Sequence, residues 1–176
     1  ESVMVRPCCM YTQAAPFDSF QVADIGDVPL NTFNLLKSID IIEGFFDDVL
    51  SHGAKTISMG GDHTVALPIL RATAKKHGPV ALIHVDAHSD TNDSMFGERI
   101  THGTIFRRAI EENLVQADKM FQIGLRTTGY SAEDFDWARN QGALVVPAEE
   151  CWHKSLSPLM TEIRGVIGPE TPVYLS

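Results

Sequence analysis

Residues 79–90, "PVALIHVDAHSD", restrict this chain more than any other stretch. Val80 to Ile83 form a β-rich apolar run, and a near-continuously apolar strand is the mark of a parallel sheet covered on both faces. The chain then turns abruptly ionisable, with His84, Asp86, His88 and Asp90 at every second position. Alternate side chains of an extended segment share a face. The pattern therefore predicts two carboxylates and up to two imidazoles gathered at the end of a buried strand. Unpaired, such a cluster is costly to hold in one place, so something cationic is expected among them.

The rest of the chain repeats strand and helix. Strands are predicted at 20–24 ("FQVAD"), 55–59 ("KTISM"), 79–88, 119–126 ("KMFQIGLR"), 143–147 ("ALVVP") and 172–176 ("PVYLS"). Helices are predicted at 34–50, where Leu35, Ile39, Ile42, Phe46 and Leu50 recur at helical spacing, and at 64–77, 104–114, 132–141 and within 155–165. Gly53 is the expected stop of the first helix, and Pro68 blurs the start of the second. The alternation implies one α/β domain over residues 1–176, with a parallel sheet between helical layers. Ligands of such sheets collect beyond the carboxyl ends of the strands, where the polar clusters of this chain fall.

Bulk properties narrow the partners. The formal charge of −9 disfavours nucleic acid and anionic membrane surfaces and mildly favours a cationic ligand. No uninterrupted apolar run approaches the roughly 18 residues of a membrane span. The cysteines, Cys8, Cys9 and Cys151, are 3 in number and two are adjacent, which is no disulfide framework; a reducing compartment, the cytoplasm, is expected. Metal binding by Cys8-Cys9 lacks a CxxC spacing to support it.

Three short motifs carry the chemistry. In "MGGDHT" (59–64), Gly60 and Gly61 permit a sharp turn after a strand, Asp62 is placed to cap the next helix, and His63 reads as a metal-ligating imidazole or an incidental histidine of a capping loop. In "DAHSD" (86–90), Asp86 and Asp90 offer hard oxygen ligands around the nitrogen of His88. That mixed set suits two ions roughly 3.5–4 Å apart, and its lack of thiolate favours manganese over a structural zinc site. His84, one alternation deeper, reads as packed and hydrogen-bonded. In "THGT" (101–104), after a loop too long for a plain turn, His102 is a candidate acid/base or proton shuttle. Met95 and Phe96 are placed to line a substrate entrance or to pack. Arg107-Arg108 reads as a solvated pair or an intersubunit ion pair. His52, His77 and His153 read as surface or capping residues.

"GGDHT", "VDAHSD" and "HGTIFRRA", in that order, resemble the ureohydrolase family of arginase, agmatinase, guanidinobutyrase and guanidinopropionase, on the agmatinase side of it; the likeness extends to "DIGDVPL" near the start. The resemblance implies the three-layer αβα arginase-like fold, usually in trimers or hexamers. It also implies a binuclear manganese site whose hydroxide attacks a guanidinium carbon and releases urea and an amine. His63 matches a ligand of one ion and His88 of the other; Asp86 matches the bridging carboxylate, Asp90 the partner of His63, and His102 the proton shuttle. "TNDSMFGE" resembles the guanidino-acid enzymes of the family.

The family's final metal motif, of S-x-D-x-D type, would begin at Ser176. The chain is therefore expected to be a partial domain, cut at both ends, with four of the six ligands, weak metal binding and little turnover of its own. The competing readings are a one-zinc deacetylase-like amidohydrolase of the same fold and an inert regulatory subunit.

Overall fold

The computed structural model describes residues 7–126, 129 and 134–176. After a single turn, α1 (Pro16–Ser19), the chain runs without regular structure to the long helix α2 (Leu35–Ser51). Asn34 caps it: its side-chain oxygen accepts from the Lys37 N–H at 3.0 Å, satisfying one of the orphan donors of the first turn. Ile39, Ile42, Phe46 and Leu50 are the buried stripe. Gly53, at φ +79°, donates its N–H to the Leu50 carbonyl and stops the helix in the left-handed conformation that glycine tolerates.

A 3₁₀ turn, His63–Val65, leads into α3 (Ala66–His77). Asp62 accepts from the Thr64 N–H at 2.8 Å, the cap expected from sequence. Pro68 does not disturb α3 because it stands in the first turn, where its missing N–H would have had no helical partner. Then follow β1 (Val80–Val85), α4 (Ile105–Glu111), β2 (Val115–Leu125), α5 (Asp136–Asn140), β3 (Leu144–Pro147), α6 (Ser157–Ile167) and β4 (Val173–Leu175). The strands make one parallel sheet in the order β3-β2-β1-β4.

The alternation of β1 builds the layers. Val80 and Leu82 face a core shared with Leu67 and Leu70 of α3 and Ile105, Phe106 and Ala109 of α4. Ala81 and Ile83 face the opposite side, against Phe121 and Ile123 of β2 and Ile163 and Ile167 of α6. Helix α2 lies outside α3, with Ile42, Phe46 and Leu50 packed on Ile69 and Ala72. The fold is thus the three-layer α/β arrangement with a parallel sheet that the sequence implied.

Two expected strands do not form among the described residues. Residues 20–24 and 55–59 form no ladder with any described segment, and Phe20, Val22, Ile57 and Met59 are exposed. A strand is defined by its partner, and the β pattern of these residues meets none here. The solvated reading of the Arg107-Arg108 pair also needs correction. Arg108 is 4% exposed and pairs with Asp93 at 2.8 Å and Glu111 at 3.1 Å; Arg107 lies over the Trp137 ring at 4.7 Å. Both are built into the fold, because their positions on α4 face the loop and α5. Of the predicted helix 132–141, residues 132–133 lie outside the described residues, and the helix starts at Asp136.

Phe106 couples this core to what lies above it, since its fully buried ring touches the His63 and His84 rings at centroid distances of 5.2 and 4.4 Å. Phe106→Ala is expected to cost about 3–5 kcal/mol of stability, measured by urea denaturation of the full-length protein. A loss below ~1 kcal/mol would contradict this packing.

Candidate metal centre

The site forms where β1 runs out. The strand keeps its alternation to Val85, which puts His84 on the same side as Leu82, fully buried on Phe106. Beyond Val85 the chain turns. The His88 N–H donates to Asp86 Oδ1 at 2.9 Å, closing a side-chain turn, and Asp90 adopts φ +52°, a left-handed conformation that aspartate tolerates better than most residues. Asp90 is held there because its carbonyl accepts the Phe106 N–H at the start of α4. The every-second-residue rule therefore applies only as far as His84; a turn, not a continuing strand, brings Asp86 and Asp90 together.

His63 arrives from a different part of the chain. The glycine turn and the 3₁₀ turn deliver its imidazole to the same point. Nδ1 lies 2.7 Å from Asp90 Oδ2 and 3.6 Å from Asp86 Oδ2, and the Ser176 hydroxyl stands 2.7 Å from Nε2. Gly60 makes this approach possible, since a Cβ there would meet a methyl of Val65 at 2.8 Å. His63, His84, Asp86 and Asp90 each place one donor atom within 4.8 Å of the others. Among the described residues this is the one such group, and neither cysteine of the Cys8-Cys9 pair belongs to it.

Electrostatics follow from the contacts. Burial pushes the His63 imidazole down, but the hydrogen bond and charge of Asp90, then Asp86 and Asp62, outweigh it and the pKa is raised. His84 goes the other way, to about 4, through burial first and the neighbouring His63 second. Burial raises the Asp86 carboxyl, yet the N–H of His88, the two imidazoles and the Ala87 N–H hold it below its usual range. The cluster thus combines two carboxylates with an imidazole kept neutral by burial. The Asp86 and Asp90 carboxylates, with the His63 imidazole between them, make a donor set that fits a divalent cation.

His88 stands apart from the four. Its side chain is 65% exposed, with Nδ1 3.4 Å from Asp86 Oδ1, at the rim of a cavity of about 390 Å³. His102, Asp90, Asn92, Met95 and Phe135 also line that cavity. Sequence reasoning put Met95 at an entrance or in packing; Met95 lines the cavity and Phe96 points to solvent, 97% exposed. A Cβ at Gly103 would overlap Met95 Sδ, so a larger residue there would displace that flexible side chain. His52, His77 and His153 lie outside the site, with His52 Nδ1 2.8 Å from the Asp48 carbonyl at the end of α2.

Gln122 escaped the sequence reading. It is fully buried on β2, in register with His84, with its amide nitrogen 3.1 Å from His84 Nδ1 and 2.6 Å from the Ser89 carbonyl. The available signal was a lone amide inside the apolar run "KMFQIGL", at the parity that faces His84.

The chain and its fold have counterparts among known proteins. Guanidinobutyrase from Pseudomonas aeruginosa is 64% identical over all 176 residues, which correspond to 55% of its own length. Mitochondrial agmatinase from Gallus gallus is 49% identical over the whole chain and 52% of its length. The chain thus spans about half the length of these curated relatives. The solved structure of proclavaminate amidino hydrolase from Streptomyces clavuligerus superposes with a TM-score of 0.86 at 35% identity, covering 96% of this chain and 56% of that one. Residues 2–176 match the model of the arginase family, and the chain belongs to that family.

Proposed function

We propose that the protein containing this chain hydrolyses a guanidino compound to urea and an amine, with divalent manganese as its cofactor and an ω-guanidino acid such as 4-guanidinobutyrate as its substrate. The observation that carries this reading is the meeting of His63 with Asp90 and Asp86, from separate loops, beside a cavity that His102 borders. The substrate class rests on the likeness to a guanidinobutyrase.

In this reading His63, Asp86 and Asp90 hold the metal, joined by His88 from the rim. Their oxygen-rich set favours manganese. When bound, the metal acidifies water so that a nucleophile exists at neutral pH. The chain's own residues do the rest. Asp90, which lines the cavity, contributes negative charge that attracts a guanidinium group. Met95 and Phe135 provide an apolar wall for the methylene chain. As the bond between the guanidinium carbon and the alkyl nitrogen breaks, that nitrogen needs a proton to leave as an amine, and in this reading His102, on the cavity wall, supplies it.

The direct test is urea release by the full-length protein with and without manganese, on 4-guanidinobutyrate, 3-guanidinopropionate, agmatine and arginine. Manganese-dependent release with 4-guanidinobutyrate preferred is expected; no release from any of the four sinks the reading. Asp86→Ala is expected to strip manganese from the full-length protein, read by elemental analysis after dialysis, and near-normal content refutes its role. His102→Asn should slow turnover by roughly 10²–10⁴-fold with manganese retained. Loss of metal instead would show that His102 is a ligand.

A further inference from the structure

We propose that Gln122 is a positioning residue that fixes His84 as its Nε2–H tautomer, so that His84 serves the site as a hydrogen donor to Asp86 and not as a metal ligand. The consequence for the metal rests on the function proposed above; the tautomer does not.

The assignment starts from Ser89. Its carbonyl lies 2.6 Å from Gln122 Nε2, and a carbonyl oxygen at that distance requires a donor, so the NH₂ end of the amide faces it. The same nitrogen lies 3.1 Å from His84 Nδ1. An amide nitrogen donates and does not accept, so its second hydrogen points at His84 and Nδ1 must present a lone pair. A neutral imidazole carries one N–H, which is therefore on Nε2. Among the described residues the buried Nε2 has no hydrogen-bond partner, and Asp86 Oδ2 stands 3.5 Å away. A lone pair there would face the carboxylate with repulsion; an N–H attracts it. A small rotation of the partly exposed Asp86 side chain completes the bond.

Distance alone groups His84 with His63, Asp86 and Asp90. Coordination through Nε2 would move the proton to Nδ1, where it would confront the Gln122 N–H. Gln122 thus withholds His84 from the metal and turns it into an orienting contact for Asp86, as partners behind a metal site commonly do. The same amide ties β2 to the 86–90 turn through Ser89. Packing alone does not account for an amide here: Gln122 Oε1 is buried with no partner among the described residues, a destabilising feature that an aliphatic side chain would not carry.

The test is ¹⁵N solid-state NMR of the full-length, metal-free protein labelled at histidine and glutamine, with His84 assigned through its contacts to Phe106 and Gln122. The wild type should show His84 protonated on Nε2 and bare on Nδ1. In Gln122→Glu an oxygen replaces the donor, so the proton should shift to Nδ1. After manganese loading, pulsed EPR should then count one more nitrogen ligand in Gln122→Glu than in the wild type. A wild-type His84 protonated on Nδ1 overturns the proposal, as does an unchanged tautomer in Gln122→Glu. If that variant does not fold, the wild-type spectrum alone decides. If the protein holds no manganese and releases no urea but shows the expected switch, the proposed function fails and this inference stands.

Discussion

Two carboxylates brought together at the end of a buried strand set the terms for everything around them. Asp86 and Asp90 both reach within 3.6 Å of the same His63 nitrogen, and Asp90 is nearly closed off from water. Charges of one sign in such a place need an opposite charge to stay ionised. The raised pKa of His63 is the visible response of the protein itself, and it originates in Asp90 above all. The surrounding fold exists to hold this arrangement: β1 aims at it, Asp90 sits in a left-handed turn anchored by α4, and the glycine turn before α3 brings His63 within reach.

The layered core is what makes the placement firm. Phe106 occupies the corner between α4 and β1, beneath both the His63 and His84 rings, so the helix that caps the Asp90 carbonyl also supports the imidazoles. A shift of α4 would move three members of the cluster together. Rigid support of this kind is what a site needs when a displacement of about 1 Å can cost two orders of magnitude in rate.

Much of this was legible in the sequence. The strand-helix alternation named the layers, Gly53 marked the end of α2, and "MGGDHT" and "DAHSD" carry the His63, Asp86 and Asp90 that the fold brings together. The failures have physical causes. Residues 20–24 and 55–59 carry strand composition, but pairing is a property of two segments and cannot be read from one. Alternation along 84–90 overestimated the reach of β1, because the Asp86 side chain closes a turn that turns His88 toward the rim. Arg108 looked like a surface charge until α4 turned it against Asp93 and Glu111. Gln122 was passed over because the lone amide in its apolar run gains a partner only through register with His84, a feature of the folded sheet and not of either strand.

The central claim is that these side chains hold divalent manganese. Anomalous X-ray scattering at the manganese edge, from crystals of the full-length protein grown with the metal, tests it most directly. The account predicts anomalous peaks in direct contact with the Asp86 and Asp90 carboxylates and with Nδ1 of His63, and none on Nε2 of His84. Manganese bound elsewhere, with the His63–Asp90 contact intact and bare, would contradict it.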